Sequence, residues 1–177
     1  MTEFAKKGRL DVIVTPERSV VEALPQFDWM ELRWITAVLV VPENHPLAKL
    51  KKIPPARLRD LPLIGMAREN YPDYVRYIRE GLKLFGVISR FVALVKHGIT
   101  SLFPALEANR AAALLTEGIA SFVPHTLVVR RFSPTLGEAV VKIGHPAMRS
   151  NPHAALFTLL LLGEAKRQKT TRGPDRS

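Results

Sequence analysis

Apolar residues in this chain fall mostly into short blocks closed by proline, glycine or a polar turn, with two stretches where they step by three and four. Leu10 to Thr15 (LDVIVT) reads as a buried strand, entered from Gly8-Arg9 and closed by Pro16. Ala37 to Val41 is a second strand, stopped by Pro42. Pro62 to Gly65, Phe91 to Val95, Ala112 to Leu115, Leu127 to Phe132 and Glu138 to Gly144 follow as further strands. Between the first two, Val20 to Arg33 fits neither period, with Phe27, Trp29 and Leu32 supplying its apolar surface. Ile53 to Leu61 reads as a linker with a short helical turn.

The helical period is clearest after residue 70. Asn70 is positioned to cap, Pro72 suits a first turn, Asp73 complements the positive dipole end and Gly86 stops the helix. Its stripe of Tyr74, Val75, Ile78, Leu82 and Phe85 predicts one face packed on a sheet, with Arg76, Arg79 and Lys83 opposite. A second helix starts at Thr100-Ser101, tolerates Pro104 in its first turn and ends at Asn109 in a left-handed stop. A last helix, capped by Ser150 or Asn151 with Pro152, is expected to pack through Leu156, Leu159 and Leu160. Strands and helices alternate, which argues an α/β fold with mostly parallel sheets.

The segment from Ala37 to Ala48, AVLVVPENHPLA, is the most informative. An apolar strand that stops in a proline-bracketed polar loop suits a buried sheet whose strand end faces a cleft. Composition agrees: the 177 residues are 47% hydrophobic, enough to bury a core. The chain has no cysteine, so neither a disulfide framework nor a thiolate metal site is available to it. MTEFAKKGRLD at the start has no apolar signal core, and the densest apolar run, Ala154 to Leu162, is too short to cross a bilayer. A cytoplasmic protein without a membrane partner is the expectation.

A net charge of +10 raises the question of nucleic acid. Five basic and two acidic residues between 164 and 176 hold part of that excess, and 169–177 reads as a basic disordered tail. The rest is scattered through Lys49, Lys51, Lys52, Arg57, Arg59 and the helix from Arg76 to Lys83, without interleaved aromatics. A solvated basic surface is expected, with no direct DNA binding by this chain. Catalytic signatures are missing too. His45, His97, His125, His145 and His153 form no metal-spaced pair, and neither a nucleophile elbow nor a glycine-rich phosphate loop is present. No enzyme, metal or cofactor is expected.

Several segments in order resemble the effector-binding domain of LysR-type transcriptional regulators, over about Lys6 to Arg167. Gly8-Arg9-Leu10-Asp11 is similar to that family's G-x-L-D strand entry, and Ala37 to Ala48 to its strand and HPLA loop. Leu58-Arg59-Asp60-Leu61 before Pro62-Leu63-Ile64, then Asn70-Tyr71-Pro72 with its helix, resemble the next segments. Gly98 to Arg110 is similar to the family's following helix, and Arg131-Phe132-Ser133-Pro134 with the helix from Asn151 completes the set. Asn109, Ala111 and Thr116 depart from it, standing where the family has glycine, glycine and proline.

The resemblance implies two α/β lobes of periplasmic-binding-protein type II. Lobe I would be 1–34 with 137–168, and lobe II 35–136. Family members carry a winged helix-turn-helix, a linker helix and a further first strand and helix before the point where this chain starts. The chain is therefore expected to be an N-terminally truncated regulator with an incomplete first lobe. A small effector, a carboxylate or aromatic metabolite, would bind between the lobes. Asn70 and Tyr71, and Thr100 and Ser101, are the expected contacts because helix starts offer free N–H groups to an anion, and Thr15 and Pro16, at the end of the first strand, would face them from lobe I. Self-association, or pairing with full-length relatives, is the expected partnership. A solute-binding protein, a protein that modulates such partners without binding DNA, and a gene remnant are the alternatives.

Overall fold

A computed structural model describes residues 1–88, 90–148 and 151–171, the side chains of 168–171 excepted. It divides into two compact units, one of Met1–Trp34 with the chain from Val140 onward, the other of Ile35–Ala139.

The larger unit is built on the strand that the AVLVV run announces. That strand, β2, is longer than the run, covering Phe27–Pro42. Over Ala37 to Pro42 its side chains alternate between two cores, which explains why polar residues are missing from it. Ala37, Leu39 and Val41 face one cluster with Ile78 and Leu82, while Val38 and Val40 face another with Leu102, Phe103 and Leu106. Val38 to Val41 are all 0% exposed, and each such side chain contributes about 1.5–3 kcal/mol of burial free energy.

Around β2 stand β3 (Lys52–Ile53), β4 (Pro62–Met66), β5 (Arg90–Val95), β6 (Ala113–Thr116) and β7 (Leu127–Phe132). β6 and β7 run antiparallel to β2 on its two sides, with Leu39 opposite both Leu114 and Arg130. β3 runs parallel to β7, and β4 parallel to β5. The Leu63–Ala112 bridge places β4 beside the entry to β6. Helices α3 (Pro72–Lys83) and α4 (Ile99–Asn109) supply the two packing faces. The α/β class stands, but the pairing is mixed rather than mostly parallel. The chain returns beside β2 through the turns before β6 and β7, so both neighbours oppose it.

In the smaller unit, α1 (Thr2–Lys6), β1 (Ile13–Thr15) and α2 (Arg18–Ala23) precede β2. Strand β8 (Glu138–Pro146) pairs antiparallel with β1, Ile13 opposite Gly144, and lies between β1 and β2. Ala5, Ile13, Val20, Leu24 and Phe27 form the core here. The ambiguous stretch Val20 to Arg33 thus divides between a short helix and the first half of a strand. Trp29 belongs to that strand, with its indole Nε1–H donating to the Leu24 carbonyl at 3.2 Å.

Other expectations change at the helix ends. Asn70 does not cap α3, whose N-cap is Tyr71 without a side-chain bond. The left-handed stop after α4 is Arg110, φ 47°, because Asn109 remains helical with its amide donating to the Ala105 carbonyl. Pro104 falls at the sixth residue of α4, past the first turn, and removes the bond that would reach the Thr100 carbonyl. The last helix, α5, covers Pro152–Thr171, and the Asn151 carboxamide oxygen accepts the His153 N–H as expected of a cap. It does not pack through its leucines: Leu156, Leu159 and Leu160 are 56, 67 and 59% exposed. Ala154 and Thr158, one turn apart, face inward instead, because apolar residues ring this helix and the small side chains allow the closer approach. Of the expected tail, 169–171 continue this helix and 172–177 lie outside the described residues.

Candidate functional site

Parallel strands deliver their carboxyl ends to the same edge, and that edge is where open α/β sheets hold ligands. β4 and β5 do this in the larger unit. Met66 pairs with Val95, and the Ala67 N–H still reaches the Val95 carbonyl at 2.8 Å. The two chains then diverge into loops that remain tied. After β4, the N–H groups of Asn70 and Tyr71 both bond the Ala67 carbonyl, closing a turn that ends at α3. After β5, Lys96-His97-Gly98 leads into α4. The Asn70 carboxamide donates to the Lys96 carbonyl at 3.2 Å, joining one loop to the other.

Gly98 caps α4 in a backbone state, φ 65° and ψ −152°, that essentially only glycine adopts. Its carbonyl accepts the Leu102 N–H at 3.1 Å and the Ser101 N–H at 3.3 Å. The N–H groups of Ile99 and Thr100 precede those bonds, at the positive end of the helix, where the first N–H groups have no partner within the helix. The Tyr71 phenol stands beside Gly98, with its oxygen 2.9 Å from the position a β-carbon would take there. Thr100 does not cap: its hydroxyl donates to the His97 carbonyl at 2.8 Å, leaving its oxygen lone pairs as acceptors. Arg68, Glu69 and Lys96 are exposed in these loops, two cations against one carboxylate. The arrangement offers helix N–H donors, a phenol and a carboxamide within two joined loops, a set suited to a small anion.

Asn70, Tyr71, Thr100 and Ser101 are therefore brought together in the larger unit. Thr15 and Pro16 belong to the smaller one, at the end of β1. Thr15 is 2% exposed and its hydroxyl accepts the Glu17 N–H at 3.0 Å, so it closes the turn after Pro16, which is exposed. Gly98 is the position that the residue-type reading passed over. Its signal is a glycine two residues ahead of a Thr-Ser pair that reads as a helix start. Among the described residues no three His, Asp or Glu side chains gather as a metal would require. No helix among them is long and apolar enough to cross a membrane.

No curated protein sequence matches the chain. Solved structures do match in fold. The full-length regulator CbnR complexed with its target DNA superposes with a TM-score of 0.77 at 17% identity, over 93% of this chain and 56% of CbnR. The effector binding domain of QuiR in complex with shikimate gives 0.71 at 16%, over 93% of this chain and 76% of that one. The regulatory domain of CcmR from Synechocystis PCC6803, in complex with 2-PG, gives 0.71 at 14%, over 93% and 77%. The chain spans about half the length of the full-length CbnR it matches. These likenesses establish the two-lobe, periplasmic-binding-protein-like α/β fold. The sequence itself matches the model of the LysR substrate binding domain over residues 1–166. With nearly the whole chain inside that match, the protein belongs to the LysR substrate binding domain family.

Proposed function

We propose that the chain is the sensing part of a LysR-type transcriptional regulator and that its effector is a small carboxylate or aromatic metabolite. The observation that carries this reading is the joined pair of loops after β4 and β5, where Asn70, Tyr71, Gly98, Thr100 and Ser101 surround the start of α4. A carboxylate there accepts from the Ile99 and Thr100 N–H groups, gains from the helix dipole and keeps the Tyr71 phenol as a further donor. The bound shikimate of QuiR and the bound 2-PG of CcmR support a small-molecule effector for a domain of this fold. Lobe I is taken as 1–34 with 137–168, which includes Thr15 and Pro16, and lobe II as 35–136.

An effector acts on such a domain by differential affinity. It shifts the population toward whichever conformation binds it better, and only by as much as the two affinities differ. Self-association or pairing with full-length relatives, in the cytoplasm, is the proposed route by which that shift reaches DNA.

Thermal unfolding of the 177-residue chain against shikimate, benzoate and a set of small carboxylates tests the reading. One compound is expected to raise the melting temperature saturably, adding about 2.7 kcal/mol at a hundredfold excess over Kd. Tyr71→Phe, which removes the phenol donor, should then weaken the shift while leaving the unliganded melt within about 1 kcal/mol. A melt indifferent to every compound overturns the effector assignment. A shift unchanged in Tyr71→Phe overturns the site.

A further inference from the structure

A cavity of about 610 Å³ opens on the larger unit and is lined by Lys49, Lys51, Lys52, Arg130 and Arg131 with Leu50, Ala120 and Val129. Those five cations come from two places, the segment leading into β3 and the end of β7. Lys52 and Arg131 are register partners across the parallel pair, so two like charges stand side by side on neighbouring strands. Such neighbours repel unless something anionic lies between them. The recorded counter-charge is small: among the described residues only Glu117 forms an ion pair with this set, 3.6 Å from Arg131.

Arg130 is the built part of this wall. Its Nε and Nη2 donate to the Ala48 carbonyl at 2.9 and 2.6 Å, and its Nη1 donates to the Val129 carbonyl at 2.9 Å. Three backbone bonds fix a half-buried guanidinium in one orientation. A guanidinium has five N–H groups, so two remain for a ligand. A cation held this way has lost its side-chain freedom before any ligand arrives, which is how an anion site gains affinity. Leu50 and Val129 beside it give the cavity an apolar wall.

We propose that this cavity binds a phosphate monoester with an apolar or aromatic body. The phosphate takes the two remaining Arg130 N–H groups and the Lys51 and Lys52 ammoniums, and the organic part lies against Leu50, Ala120 and Val129. This site uses none of the residues assigned to the effector, so the two readings stand or fall separately.

The test is titration of the full chain with phenyl phosphate and with inorganic phosphate, followed by calorimetry and by amide NMR shifts. Phenyl phosphate is expected to bind one to one, several-fold more tightly than inorganic phosphate, with shifts gathered on Lys49–Lys52 and Val129–Arg131. Lys51→Glu with Lys52→Glu should weaken it about tenfold or more, as loss of a charge-assisted contact does. Arg79→Glu with Lys83→Glu changes the net charge equally on α3 and should change affinity less than about twofold. Equal weakening in both pairs, shifts spread over the surface, or equal affinity for the two phosphates overturns the proposal. So does displacement of phenyl phosphate by duplex DNA at equal phosphate concentration, which would make the patch a nucleic-acid surface.

Discussion

The Tyr71 phenol and Gly98 hold the two loops of the candidate site at a fixed spacing: a β-carbon on Gly98 would sit 2.9 Å from the phenol oxygen. Tyr71 ends the loop after β4 and begins α3, while Gly98 ends the loop after β5 and begins α4. Their approach sets how far apart the two helix starts lie, and with that the width of the place an anion would occupy.

Gly98→Ala should therefore damage both stability and site. Alanine at φ 65° and ψ −152° costs about 1–3 kcal/mol from backbone strain alone. Urea unfolding is the measurement. Adding Tyr71→Ala to Gly98→Ala removes the contact but not the strain, so most of the loss should persist in the double variant. Full recovery there would mean that crowding, not backbone conformation, decides the residue.

Gly81 poses the opposite question, since it lies inside α3. Helix propensity favours alanine there by about 1 kcal/mol. The neighbouring backbone does not: a β-carbon would meet the Leu136 carbonyl oxygen at 2.6 Å. A backbone carbonyl cannot swing aside as a flexible side chain can, and the Tyr77 hydroxyl also bonds the adjacent Gly137 carbonyl at 3.0 Å. Overpacking of this kind costs about 1–3 kcal/mol. The net change for Gly81→Ala should be destabilising, and a raised thermal midpoint would show that the 136–137 loop yields.

Where a segment's environment is uniform, the chain's pattern already states it. Val38 to Val41 are buried on both faces, and a run with no polar residue has few other uses. Phe27 to Trp34 continues the same strand but alternates burial irregularly, so neither period dominates its letters. Helix ends depart from the pattern for a related reason. Asn70 and Thr100 carry capping side chains, yet both spend them on the loop carbonyls of Lys96 and His97. Composition at a helix start cannot distinguish a cap from a loop tie, because both need the same short polar groups. The apolar letters of α5 fill every side of the helix, and the burial of Ala154 and Thr158 depends on closeness of approach that no periodicity records.

Tyr74 and Tyr77 should make the protein sensitive to alkali. Burial pushes both phenols well above their usual range, aided at Tyr77 by the carboxylates of Glu138 and Glu117. The unfolded chain releases these protons near pH 10 (roughly the free phenol value), while the folded protein keeps them. The folded state then binds more protons than the unfolded one, so stability is full below about pH 10 and falls as pH rises beyond it. Tyr74→Phe also loses the bond to the Leu114 carbonyl at 2.9 Å, costing about 0.5–1.5 kcal/mol at neutral pH. Its alkaline slope should be shallower than that of the parent, and an identical slope would remove Tyr74 from the account.

His45 should act at the other end of the scale. Its Nδ1 accepts the Leu47 N–H at 3.1 Å, capping the short turn Pro46–Lys49 within the HPLA loop, and burial holds its pKa below the ordinary value. A protonated ring has no lone pair for that bond. The unfolded chain takes up the proton near pH 6.5 (about the free imidazole value), before the folded protein does. The contribution is therefore present above about pH 6.5 and is lost as pH falls through the folded value. His45→Asn keeps an acceptor at the cap without a titrating group, so its stability should stay level where the parent weakens. His45→Ala should be less stable than the parent at neutral pH and should lose the same slope. If all three proteins share one pH profile between mildly acidic and neutral conditions, the cap is not what the imidazole contributes.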